Sequence, residues 1–115
     1  MMFLSDKHEV RYDELLLRDG GKGDIERESL FFVLAGSDDL YRKADKIYDF
    51  EDRSIIPESL EGSVDLSSGA RALVELAFNL YNSFGSPSVM DIFPSLDADA
   101  KKLAIEAIKL RFRMQ

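Results

Sequence analysis

The chain has 115 residues, 45% of them apolar and 32% charged, which suffices for one globular domain and is unlike a disordered or fibrous composition. It contains no cysteine, so a disulfide framework, a thiolate nucleophile and any cysteine-ligated metal site are excluded. Its net charge of −7 argues against nucleic acid as a partner, because phosphate contacts need lysine and arginine, and favours a protein with a basic surface reached by electrostatic steering.

Ser5 caps a predicted first helix running to about Asp19, with Leu4, His8, Tyr12, Leu15 and Leu16 on one face. GGKG at 20–23 breaks it, and Asp24 caps a second helix, IERESLFFVLA, that Gly36 ends. Leu30 to Leu34 make its last turns apolar all round, which predicts a central position. Ser37 with Asp38 and Asp39 opens a third helix, whose acids offset the helix dipole and whose buried stripe is Leu40, Tyr41, Ala44, Ile47 and Tyr48. Residues 50–66 show no sustained period and read as a long irregular connection, with Ile55 and Ile56 as anchors and one turn after Pro57. A fourth helix opens at Ser67 or Ser68 and runs to about Phe84, stopping at Gly85. Ser86-Pro87 has the order of a new helix start, Pro94 ends that short helix, and Ser95 or Asp97 caps a last one over about 98–113. The expectation is an all-α compact bundle of five or six helices, forming a single helical domain over 1–115 with no internal repeat.

The charge is uneven. Residues 1–36 carry eight acids and five bases (−3), residues 37–65 nine acids and four bases (−5), and residues 66–115 five acids and six bases (+1). Asp38, Asp39, Glu51 and Asp52 in the middle segment are therefore candidates for meeting a basic partner, although negative charge also serves plain solubility. Five bases and one acid at 100–115 suit a helix C-terminus, and no aromatic platform for nucleic acid accompanies them.

Several side chains sit oddly for their faces. On the fourth helix Arg71, Glu75, Asn79 and Asn82 fall within about 80° of one another, a narrow polar stripe on an otherwise apolar helix. It reads as a solvent-facing seam or as a groove floor where Asn79 and Asn82 bind a ligand; Tyr81 points to the apolar side. Arg111 lies about 180° from Lys102, among alanines and Ile108, and Arg27 shares a face with Leu30, Phe31 and Leu34. Such arginines snorkel, pair with an internal carboxylate, or bind a partner or anion. His8, the sole histidine, is on an apolar face, where packing is its expected role. No spacing identifies a nucleophile with its base, so no catalytic residue, metal ligand or cofactor is assigned. Glu58-Ser-Leu-Glu61 has the EXXE spacing of helical nucleotide pyrophosphatases, which chelate magnesium with acids one turn apart, but no second EXXD half follows.

The segments FLSDKHEVRY (3–12), DIERESLFFVLAG (24–36), IYDF (47–50), LAFNLYN (76–82) and AIKLRF (107–112) resemble a family of small uncharacterised proteins of Gram-positive bacteria and their phages. The resemblance spans most of the chain. It implies a bacterial or mobile-element setting and supplies no activity and no catalytic residue. MMFLSDKHEV is not a signal peptide, and no apolar run nears the roughly 20 residues that span a bilayer, so a cytoplasmic protein without membrane contact is expected. The leading expectation is a non-enzymatic acidic interaction module, in its phage-borne version an inhibitor of a host protein. A small-ligand or nucleotide-binding helical module is the alternative, and a metal-dependent hydrolase using Glu58 and Glu61 is a third reading.

Overall fold

Helix boundaries follow the capping chemistry in the computed structural model, which describes residues 1–115. Helix α1 spans Asp6–Asp19: the Ser5 hydroxyl accepts the His8 N–H at 3.1 Å, and Gly20, at φ 77°, ends it with its own N–H on the Leu16 carbonyl. Helix α2 spans Ile25–Ala35, capped by the Asp24 carboxylate. Every residue from Ser29 to Ala35 is buried, and α2 packs against α1 and two later helices, so it is the central element the sequence predicts. Each fully buried Leu or Phe there contributes roughly 1.5–3 kcal/mol.

The predicted third helix is two. Helix α3 covers Asp38–Arg42 and α4 covers Ala44–Ile47, with the chain turning at Lys43. The Lys43 N–H divides between the Asp39 and Leu40 carbonyls, while its ammonium pairs with Asp39 and bonds the Asp65 carbonyl. After the turn Tyr48 takes extended backbone, which sends its fully buried ring toward the C-terminal end of α1.

The segment expected to be irregular contains structure. Strand β1 (Tyr48–Asp49) pairs antiparallel with β2 (Ser54–Ile55), Tyr48 opposite Ile55 and Asp49 opposite Ser54. The Asp49 carboxylate accepts the N–H groups of Glu51 and Asp52, and Arg53 closes the tip in a left-handed conformation, φ 56°. Strands of two residues carry no readable period, which is why the hairpin is invisible in the sequence. The turn expected after Pro57 is present as a 3₁₀ segment, Pro57–Leu60.

Helix α5 spans Ser68–Asn82 and stops at Ser83, φ 66°, two residues before the glycine predicted to end it. The next helix, α6 (Val89–Ile92), starts at Ser88 rather than Ser86, because Ser88 and Asp91 form a reciprocal capping box. A 3₁₀ turn (Phe93–Ser95) leads to α7 (Ala98–Arg111), capped by Asp97. The fold is thus mostly helical, with seven α-helical segments, two 3₁₀ turns and one small hairpin in place of an all-α bundle of five or six helices. One cluster of 26 buried apolar residues joins the helices, and its satellites include Phe3, Phe50, Ile55 and Tyr81.

Candidate protein-interaction surface

The hairpin is fastened to the body through one buried carboxylate. The Asp19 side chain is 0% exposed. It accepts the Tyr48 hydroxyl at 2.6 Å and the Arg53 guanidinium at 3.1 and 3.3 Å, and lies 3.6 Å from the Arg27 Nε. Arg27 in turn donates to the Tyr48 hydroxyl (3.1 Å), to the Asp24 carboxylate (2.7 Å) and to the Arg53 carbonyl (2.9 Å), with Tyr81 beside it at 5.5 Å. Burial alone would lower the pKa of Arg27; its bonds to Tyr48 and Asp24 outweigh that and raise it. Tyr48 is pushed up to about 12 by burial and then by its bond to Asp19. Of the readings open for Arg27, the structure shows the internal one: every donor nitrogen of its guanidinium is engaged within the chain.

Gly21 permits this arrangement. A Cβ there would sit 2.7 Å from an Asp19 carboxylate oxygen and 3.3 Å from the Arg27 stem. Asp19 is not marked by the face pattern of α1. One signal points to it: an acid in the last turn of a helix opposes the dipole, so it needs a partner elsewhere.

The acidic middle segment divides by partner. Asp38 is held by Arg11 at 2.5 Å and Lys7 at 3.4 Å, contacts that lower its pKa. Asp39 pairs with Arg42 and Lys43, and Asp45 with Arg18. Glu51, Asp52, Glu58, Glu61 and Asp65 are all exposed and make no salt bridge within the chain. Arg53, the single base between 51 and 65, turns inward to Asp19. Of the four acids chosen from the sequence, Glu51 and Asp52 stand free at the hairpin tip, and Asp38 and Asp39 are spent on α1 and on their own helix.

The other candidates serve local structure. Arg71 and Glu75 pair at 3.3 Å along the polar stripe of α5. Asn79 donates to the Phe84 carbonyl at 3.4 Å and Asn82 accepts the Phe84 N–H at 3.1 Å, so the two amides shape the turn that ends α5. The Arg111 Nε donates to the Leu80 carbonyl at 2.8 Å, satisfying one of the carbonyls that the last turn of α5 leaves open. His8 is 3% exposed; its Nδ1 accepts the Leu4 N–H at 3.1 Å and its Nε2 donates to the Phe32 carbonyl at 2.8 Å, with Phe3 and Phe32 around the ring. Burial lowers its pKa, against the opposing effect of the Phe32 carbonyl. Glu58 and Glu61 lie on and just after the 3₁₀ segment, and no group of three or more histidine, aspartate or glutamate side chains is arranged to hold a metal.

No helix is long and apolar enough to cross a membrane. Neither the curated proteins nor the solved structures include a match to the chain. A protein-family model does match it, along residues 1–115, and the chain belongs to that family, a family of unknown function designated DUF6075.

Proposed function

We propose that the protein is a cytosolic, non-enzymatic interaction module that presents the free acids of residues 51–65 to a basic surface on another protein. One observation carries this reading: in the most acidic segment of the chain the first acids are neutralised internally, whereas Glu51, Asp52, Glu58, Glu61 and Asp65 are exposed without a cationic partner. Two of them ride on a hairpin that a buried ionic network holds in place, so the surface is presented in one conformation. Complementary charge across such a surface raises association rates and selects partners more than it adds affinity. For a gene carried by a phage, the same surface would suit inhibition of a host protein.

The test is affinity capture with the wild-type protein and with a Glu51→Lys/Asp52→Lys variant, followed by binding kinetics on the captured protein. The association rate should fall at least tenfold in the variant and fall with salt in the wild type. A captured partner whose association rate ignores both changes would overturn the proposal.

A further inference from the structure

A second surface lies on the other flank of α1. Between the C-terminal half of α1 and the start of α2 is a groove of about 490 Å³, walled by Tyr12, Leu16 and Leu17 and edged by Asp13 and Glu28, with Lys22 at the rim. Tyr12 is 7% exposed, with its ring held against Phe3 and Phe32. Tyr12 lines the groove, and its hydroxyl reaches solvent and makes no hydrogen bond within the chain. Burial raises the Tyr12 pKa, and the charges of Glu28 and Asp13 raise it further, so the hydroxyl sits in the field of both carboxylates. Asp13 has no ion pair, and Glu28 accepts only the Gly23 N–H, at 2.8 Å. Leu17 is 85% exposed, the highest value among the large apolar residues, and Val10, seven positions earlier on the same stripe of α1, is also exposed.

An apolar wall, two uncompensated carboxylates and an unpartnered hydroxyl define a ligand that is cationic at its tip and apolar along its stem. The guanidinium or ammonium would meet Asp13 and Glu28 and take the Tyr12 oxygen as an acceptor, while the stem lies along Leu16 and Leu17. The exposed stripe from Leu17 to Val10 continues beyond the groove, and a small free cation would leave it uncovered. We infer that this groove takes an arginine or lysine side chain from a basic, amphipathic segment of a partner protein. The site is separate from the hairpin tip, and the inference does not depend on the function proposed for that tip.

The experiment is a ¹H–¹⁵N correlation titration of the intact protein. The probes are butylguanidinium chloride, sodium pentanoate at equal ionic strength, and a capped pentapeptide of alternating leucine and arginine. Butylguanidinium should shift the amides around Tyr12, Leu17 and Glu28 saturably, with Kd on the order of 1–10 mM as expected for so small a ligand. Pentanoate, which has the stem without the cation, should not. Asp13→Asn/Glu28→Gln should weaken binding at least fivefold, and Tyr12→Phe about twofold, each with an otherwise unchanged spectrum. The peptide should bind at least tenfold more tightly than the fragment, and Glu51→Lys/Asp52→Lys should leave all of these values alone. The inference is overturned by an absence of saturable shifts, by equal shifts with pentanoate, by an Asp13→Asn/Glu28→Gln variant that binds as wild type, or by a peptide no tighter than the fragment.

Discussion

Replacing Asp19 by asparagine keeps the shape of the side chain and one acceptor but removes its charge. In the wild type that carboxylate is wholly buried, accepts three hydrogen bonds and lies beside two guanidinium groups. Without it, Arg53 loses its only carboxylate while Arg27 keeps Asp24, and an acceptor for Tyr48 or Arg53 is lost. Removing one partner of a fully buried pair costs about 3–5 kcal/mol. Arg53 is nearly half exposed and regains water, and asparagine keeps one oxygen, so the expected cost is about 2–3 kcal/mol. For a chain of this size that is a fall in Tm of roughly 8–12 °C by circular dichroism. The loss should also be uneven. The Ile56 N–H, bonded to the Ile47 carbonyl at 2.8 Å, reports on the hairpin and should lose more amide-exchange protection than the amides of α2. A variant within about 2 °C of wild type, or one in which hairpin and α2 lose protection equally, would refute the idea that Asp19 fastens the hairpin.

Two further outcomes follow from close packing around His8. Its folded pKa is depressed below the ordinary 6.5, chiefly by burial, so its stabilising contribution is complete above pH 6.5 and is lost as pH falls toward the folded value. Chemical denaturation between pH 7 and 5.5 should show stability falling with pH, a slope absent in His8→Asn; a wild type with no slope in that window would contradict the neutral, doubly bonded ring. Gly36→Ala would place a Cβ against the Leu103 Cδ1, 2.8 Å from its Cδ2 and 3.1 Å from the His8 Nε2, so the Leu103 side chain and the His8 ring must shift. Urea unfolding should show about 2 kcal/mol of destabilisation, partly relieved by Leu103→Val, and the reasoning fails if the alanine variant is as stable as wild type.

The helices that rest on long apolar runs and side-chain caps were legible. Ser5, Asp24, Ser37, Ser67 and Asp97 each accept the backbone bond that their position before an apolar pattern predicts. The central place of α2 also follows directly from its unbroken apolar turns. What escaped was set by contacts distant in sequence. The turn at Lys43 depends on the Asp65 carbonyl, the hairpin on Asp19, and the end of α5 on Asn79 and Asn82 meeting Phe84. Arg27 and Arg111 stand out in the sequence as arginines on apolar faces, and both donate inward. Face geometry could not name their partners, because Tyr48 and Leu80 lie 21 and 31 positions away.

Charge counted along a sequence and charge free at a surface are different quantities here. Residues 37–65 carry −5 by formula, which makes Asp38, Asp39, Glu51 and Asp52 look equivalent. Folding makes them unequal, because α1 supplies Lys7, Arg11 and Arg18 to Asp38 and Asp45 while Asp39 is held within α3 and its cap. It also removes the one base that could neutralise the hairpin tip. Arg53 follows Asp52 directly, and in an unfolded chain its charge would screen both acids at short range. The left-handed backbone at Arg53 and the pull of Asp19 carry its guanidinium inward, away from Glu51 and Asp52. The buried network therefore has two effects with one cause: it fixes the hairpin, and it leaves the tip more negative than its own sequence would make it.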